Sequence, residues 1–123
     1  MEVHKDFEKL EIPLIAKLFV IYHCVHKLIL TLPKFERYSL GEAMQRAVLE
    51  ACELVVEANS ANKYDRPSKL IKVNAKIEIT KLLVRIALNM ELIKTPTYLE
   101  IQTHLQEAGK MTQGWIKYSK NNV

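Results

Sequence analysis

The chain has 123 residues, 49% hydrophobic but only 7% aromatic, and its 18 Lys or Arg against 14 Asp or Glu give a formal net charge of +4. That length excludes a multidomain protein and suffices to bury roughly two-thirds of the surface of the unfolded chain. The apolar fraction excludes a disordered chain and, being mainly aliphatic, suits packed helices, while the modest positive charge is compatible with an anionic partner without demanding one.

Residues Met1 to Asp6 carry charges of both signs where a secretory signal needs a basic start and an apolar run, so no export is expected and the location follows as cytoplasmic. The first helix is predicted from Pro13, tolerated in a first turn because its missing N–H has no intrahelical partner there. Ile15, Leu18, Tyr22, Val25, Ile29 and Leu32 recur at steps of three and four, the spacing of a stripe facing a core, and Pro33 ends the helix. Lys17, His23, His26 and Lys27 interrupt the apolar run from Ile12 to Leu32, which argues for a buried soluble helix over a membrane span.

After a connector at Lys34 to Tyr38, Ser39 reads as the cap of a second helix with Glu42 as its capping-box partner. Its apolar face comprises Leu40, Ala43 or Met44, Ala47, Ala51, Leu54 or Val55, and Ala58. Asn59 to Arg66 is a polar loop, Pro67 falls in the first turn of a third helix running to about Ile93, and Thr95-Pro96 opens a fourth. Tyr98, Ile101, Leu105, Ala108, Thr112 and Trp115 share one face of that last helix, and Asn121 to Val123 should fray. No alternating run suggests a strand. The reading is an all-α, antiparallel, up-and-down four-helix bundle forming one domain over 1–123, with helices near 12–32, 39–61, 67–93 and 96–118.

The third helix has two apolar sectors. Leu70, Val73, Ile77, Val84 and Leu88 form one, and Ile71, Ala75, Ile79, Leu82, Ile86, Met90 and Ile93 form another nearly opposite. Two explanations stand side by side: self-association through Ile71, Ile79, Leu82, Ile86 and Met90, or a central helix touching two neighbours within one chain. Two of the three glycines, Gly109 and Gly114, lie inside the fourth helix, where each costs about 1 kcal/mol relative to alanine. With Met111 and Trp115 beside them they read as a close-approach packing seam.

From Lys63 to Lys94, eight Lys or Arg against three acidic residues give a net of +5, whereas Ser39 to Ala61 has one Arg and four Glu, a net of −3. Lys63, Arg66, Lys69, Lys72 and Lys76 form a basic ridge suited to phosphate-backbone contact with RNA or DNA, with Arg85, Lys110 and Lys117 as secondary contacts. A solvated lysine-rich face is the ordinary alternative. No exposed aromatic residues are expected to interleave with these cations to stack on bases.

Catalytic signatures are missing. There is no phosphate-binding glycine loop, nucleophile elbow or Cys/His signature, so no catalytic residue, cofactor or metal is assigned. His23 and His26 read as a surface pair with no further ligands, Glu50, Glu53 and Glu57 as a solvated or lysine-paired ridge, and Cys24 and Cys52 as reduced, partly buried thiols.

The connector Pro33-Lys34-Phe35-Glu36-Arg37-Tyr38-Ser39-Leu40-Gly41, with the ending Glu107-Ala108-Gly109-Lys110-Met111-Thr112-Gln113-Gly114-Trp115-Ile116-Lys117, resembles the small four-helix-bundle family of the accessory variability determinants (Avd) of diversity-generating retroelements. Proteins encoded in intervening sequences of bacterial large ribosomal RNA belong to the same broad family. The Avd resemblance implies a homopentameric barrel that binds the element's reverse transcriptase and nucleic acid, leaving catalysis to the polymerase. The ribosomal intervening-sequence branch implies an interaction protein without a polymerase partner. This chain is less basic and poorer in arginine than the Avd resemblance leads one to expect.

Overall fold

The computed structural model describes residues 12–121, and the expectations for Met1 to Asp6 and for fraying at 122–123 lie outside them. Four long helices, α1 (Ile12–Thr31), α2 (Glu42–Ser60), α3 (Arg66–Asn89) and α4 (Thr95–Asn121), carry the fold, with no strand among the described residues. α1 packs on α2 and α4, and α3 packs on the same two helices, so α1 and α3 stand diagonally across the bundle.

The core stripe of α1 is Leu14, Leu18, Ile21, Val25, Leu28 and Leu32, about one position away from the expected line, with Ile15, Tyr22 and Ile29 flanking it. α2 contributes Met44, Ala47, Val48, Ala51, Val55 and Ala58, and α3 contributes Leu70, Val73, Ile77, Val84 and Ala87. Ile101, Leu105, Ala108, Thr112 and Trp115 of α4 close the core as expected. Small residues on α2 let it lie close against α3, and the buried hydroxyls of Thr80 and Thr112 are satisfied one turn back, on Lys76 O and Ala108 O, each at 2.8 Å.

The expected connector after Pro33 is itself helical. Lys34–Glu36 is a short α-helical turn and Arg37–Gly41 a π-helical stretch that runs directly into α2. Ser39 therefore sits inside a helix rather than at its cap. Its hydroxyl accepts the Leu40 N–H at 2.6 Å and donates to Glu36 Oε1 at 3.3 Å, and no bond to Glu42 forms the expected capping box. Gly41 explains the close crossing: a Cβ there would lie 3.2 Å from both Cγ atoms of Ile29 and 3.3 Å from Glu36 O.

Two arginines cap the helices that precede them. Arg37 donates through Nε to Leu32 O and through Nη2 to Leu30 O, both at 2.9 Å, closing the end of α1. Arg66 donates to Ala58 O at 2.9 Å, Ala61 O at 3.1 Å and Asn59 O at 3.3 Å, closing the end of α2. Between them, Asn62 Oδ1 receives the N–H groups of Tyr64 and Asp65, an Asx turn that reverses the chain.

α3 stops at Asn89, four residues before the expected end. Leu92 N bonds Ala87 O and Glu91 N bonds Leu88 O, both at 2.9 Å, which is the Schellman pattern with Glu91 at φ 59° where glycine is usual. Ile93, expected on the outward sector, is instead folded into the core. α4 begins with Lys94 O accepting from Tyr98 N at 3.1 Å, so Thr95 is already inside the first turn.

Candidate functional site: two apolar faces and a basic furrow

Helix α3 meets both α2 and α4 and still keeps an outward apolar stripe. Ile71, Ile79, Leu82 and Met90 are exposed, Leu82 at 54%, and Ile86 is half-buried among them. One sector therefore fills the core between two neighbouring helices and the other lies on the surface of the protomer.

α1 also carries outward apolar residues, interspersed with the exposed His23, His26 and Lys27. The prediction of a buried helix holds for its core stripe and fails for Phe19, 58% exposed, and for Val20 and Leu30, which are also exposed. By length and composition Pro13–Thr31 could cross a membrane, yet its core stripe is committed to the bundle. The expected stripe of Ile15, Leu18, Tyr22, Val25, Ile29 and Leu32 leaves Phe19, Val20 and Leu30 out, and reading α1 as buried gives them no outward role.

The lysine ridge at the start of α3 is largely matched by the acidic ridge of α2. Lys69 Nζ lies 3.1 Å from Glu57 Oε1 and Lys76 Nζ lies 3.3 Å from Glu50 Oε1. Both lysines are half-buried, against the expectation that they are exposed. Arg66 is occupied by the carbonyls that end α2. Lys63 and Lys72 remain exposed, Lys72 beside a shallow hollow that it shares with Glu50, Glu53 and Glu57. Much of the positive charge counted along this stretch is thus neutralised across the α2/α3 contact.

The secondary cations are strung along a different surface, with Lys110 in it and Arg85 and Lys117 toward its opposite ends. Asn74, Glu78, Lys81, Gln106, Gly109, Lys110 and Gln113 line an open furrow between α3 and α4, anchored by Gln102 Nε2 donating to Lys81 O at 3.1 Å. Arg85 follows Lys81 by four positions and Lys117 follows Gln113 by four, so helical spacing continues both rows along the furrow. Arg85, Lys110 and Lys117 are exposed, while Lys81 pairs with Glu78 at 3.1 Å.

Gly109 lines this furrow, and neither Gly109 nor Gly114 makes a tight contact. A Cβ on Gly109 would reach only Lys81 Nζ, at 4.0 Å, and one on Gly114 would meet nothing within 4 Å. The expectation of a close-approach seam is corrected within the protomer: Trp115 turns into the core, Met111 turns outward, Gly109 is buried without a tight contact and Gly114 is exposed.

Neither thiol is set up as a nucleophile. Burial pushes Cys24 and Cys52 above the usual 9.0, reinforced at Cys24 by the Glu100 carboxylate, so both are protonated at neutral pH.

A comparison with protein-family models matches the one described as bAvd-like over residues 14–119, a span that takes in all four helices, both apolar faces and the furrow. Comparisons with curated proteins and with solved structures give no match. The match covers most of the chain and agrees with an all-helical fold of four long helices: the chain belongs to the bAvd-like family.

Proposed function

We propose that this protein is a non-catalytic accessory subunit of a diversity-generating retroelement, a cytoplasmic ring of identical copies that binds the element's reverse transcriptase and the phosphate backbone of its RNA or cDNA. The observation that carries the reading is the pair of apolar faces on α1 and α3, diagonally opposed in the bundle. Two different faces pointing apart suit a head-to-tail contact, in which one copy's α3 face meets the next copy's α1 face, and such contacts make a ring where the rotation between copies closes and an open filament where it does not. Five copies is the number that the family resemblance implies. Leu82→Glu would place a charge in that contact without disturbing the core, since Leu82 is 54% exposed in the protomer. Light scattering should then report dissociated, folded protein. A wild-type monomer across micromolar concentrations would defeat the reading.

For nucleic acid, the furrow between α3 and α4 is the better candidate than the ridge. Arg85, Lys110 and Lys117 stand outside the ion pairs, whereas Lys69 and Lys76 are engaged by carboxylates. Replacing Arg85, Lys110 and Lys117 with alanine should reduce the salt slope of RNA binding by roughly 0.7 to 0.9 for each phosphate that is no longer neutralised. The Lys69, Lys72 and Lys76 triple variant should change it less. The opposite order returns the ridge to first place, and no binding at low salt beside the adjacent reverse transcriptase and its template RNA favours the ribosomal intervening-sequence branch.

A further inference from the structure

On the other side of α4 from the furrow, α1 and α4 flank a pocket of about 630 Å³ whose wall holds Cys24, Glu100 and His104. Sequence reading left all three unassigned, because Cys24 is separated from Glu100 by 76 positions and only the fold joins them. One ligand atom from each lies within 4.8 Å of the other two. Glu100 and His104 are four positions apart on α4 and so project from one face, the spacing that helices use to present two ligands to one ion. Cys24 faces them from α1.

We propose that Cys24, Glu100 and His104 form a zinc-binding site that bridges α1 and α4. A tetrahedral ion with sulfur at about 2.3 Å and carboxylate oxygen at about 2.1 Å has an S···O edge of about 3.6 Å. The observed separation of Cys24 Sγ and Glu100 Oε1 is 3.7 Å. A thiolate and a carboxylate balance the two positive charges of the ion, and binding releases the thiol proton to solvent. The set is mixed sulfur, nitrogen and oxygen, which suits zinc better than magnesium or calcium. His23 stands at the same pocket wall.

Lys17 tunes the site. Its ammonium is held by Glu107 Oε2 at 2.8 Å and also donates to His104 Nδ1 at 3.3 Å. A lysine ammonium can only donate, so Nδ1 carries a lone pair there, the group that a metal requires. Zinc would take that lone pair while Lys17 keeps Glu107. Lys27 and Lys94 on the pocket wall oppose a cation, which places the affinity below that of a closed all-thiolate site.

Cobalt(II) is the probe, because a thiolate bound to it gives a near-ultraviolet charge-transfer band. The full chain should bind one Co2+ per protomer with that band, and Zn2+ should displace it. Cys24→Ser should abolish the band, and His104→Asn and Glu100→Gln should each weaken Zn2+ binding at least tenfold in a chelator competition. Lys17→Met should tighten binding several-fold by removing the competing donor. Cys52→Ser should leave the band intact. Far-UV circular dichroism and the metal-free thermal midpoint establish that each variant is folded; Cys24 and His104 are only partly buried. A missing cobalt band in wild type, a band that survives Cys24→Ser, or Zn2+ affinity unchanged by His104→Asn would overturn the assignment.

Discussion

Replacing Gly109 and Gly114 together with alanine should stabilise the protomer. Both lie well inside α4, and neither has positive φ. Each glycine in a helix interior costs about 1 kcal/mol relative to alanine. The gain would be cancelled if the new methyl group had to displace something, but the nearest atom to a Cβ on Gly109 is the flexible end of Lys81 at 4.0 Å, and Gly114 has open space. The two sites share no partner, so their effects should add to about 2 kcal/mol. For a domain of this size that is a rise in thermal midpoint of roughly 8 °C. Gly41→Ala is the built-in contrast, since its Cβ would press on Ile29 and on the Glu36 carbonyl, and it should give no gain or a loss of about 1 kcal/mol. Melts followed by circular dichroism, at a concentration low enough to dissociate the protein, separate protomer stability from assembly. A midpoint at or below wild type for the double variant would refute the open-furrow geometry. A raised midpoint combined with weakened self-association would mean that a second copy reaches the glycines.

Glu91→Gly should raise stability by about 0.5 to 1 kcal/mol, because Glu91 holds a left-handed conformation at φ 59° that glycine adopts without steric cost; an unchanged denaturant midpoint would count against the Schellman assignment. Lys17 holds the Glu107 carboxyl below its usual 4.5. The stabilisation is therefore fully present above that value and is lost as pH falls through the lower folded-state one, so Lys17→Met should show a shallower acid limb of midpoint against pH, and identical limbs at low salt would contradict the pair.

Helix number and order were legible because the signals are local: Pro13, Pro33, Pro67 and Thr95-Pro96 punctuate the chain, and steps of three and four repeat between them. The errors lie where a tertiary partner decides. A capping-box pattern at Ser39 lost to a π-helical stretch allowed by Gly41 against Ile29, and the end of α3 carried no glycine because Glu91 takes the left-handed position. Charge counting along the chain finds the lysines, and lysine pairing is one of two readings of the Glu50, Glu53 and Glu57 ridge; only the α2/α3 contact shows that Glu57 and Glu50 sit beside Lys69 and Lys76. The same limit hid the outward face of α1. Phe19, Val20 and Leu30 fall outside the stripe of Ile15, Leu18, Tyr22, Val25, Ile29 and Leu32 and are interspersed with His23, His26 and Lys27, so they formed no sector of their own, while on α3 the two sectors lay far enough apart to be distinguished. Once the bundle order puts α1 and α3 on opposite corners, those two surplus faces become a directional pair, and direction is what separates a ring from a symmetric dimer. A self-complementary dimer would need only one of them, leaving the other in water on each copy.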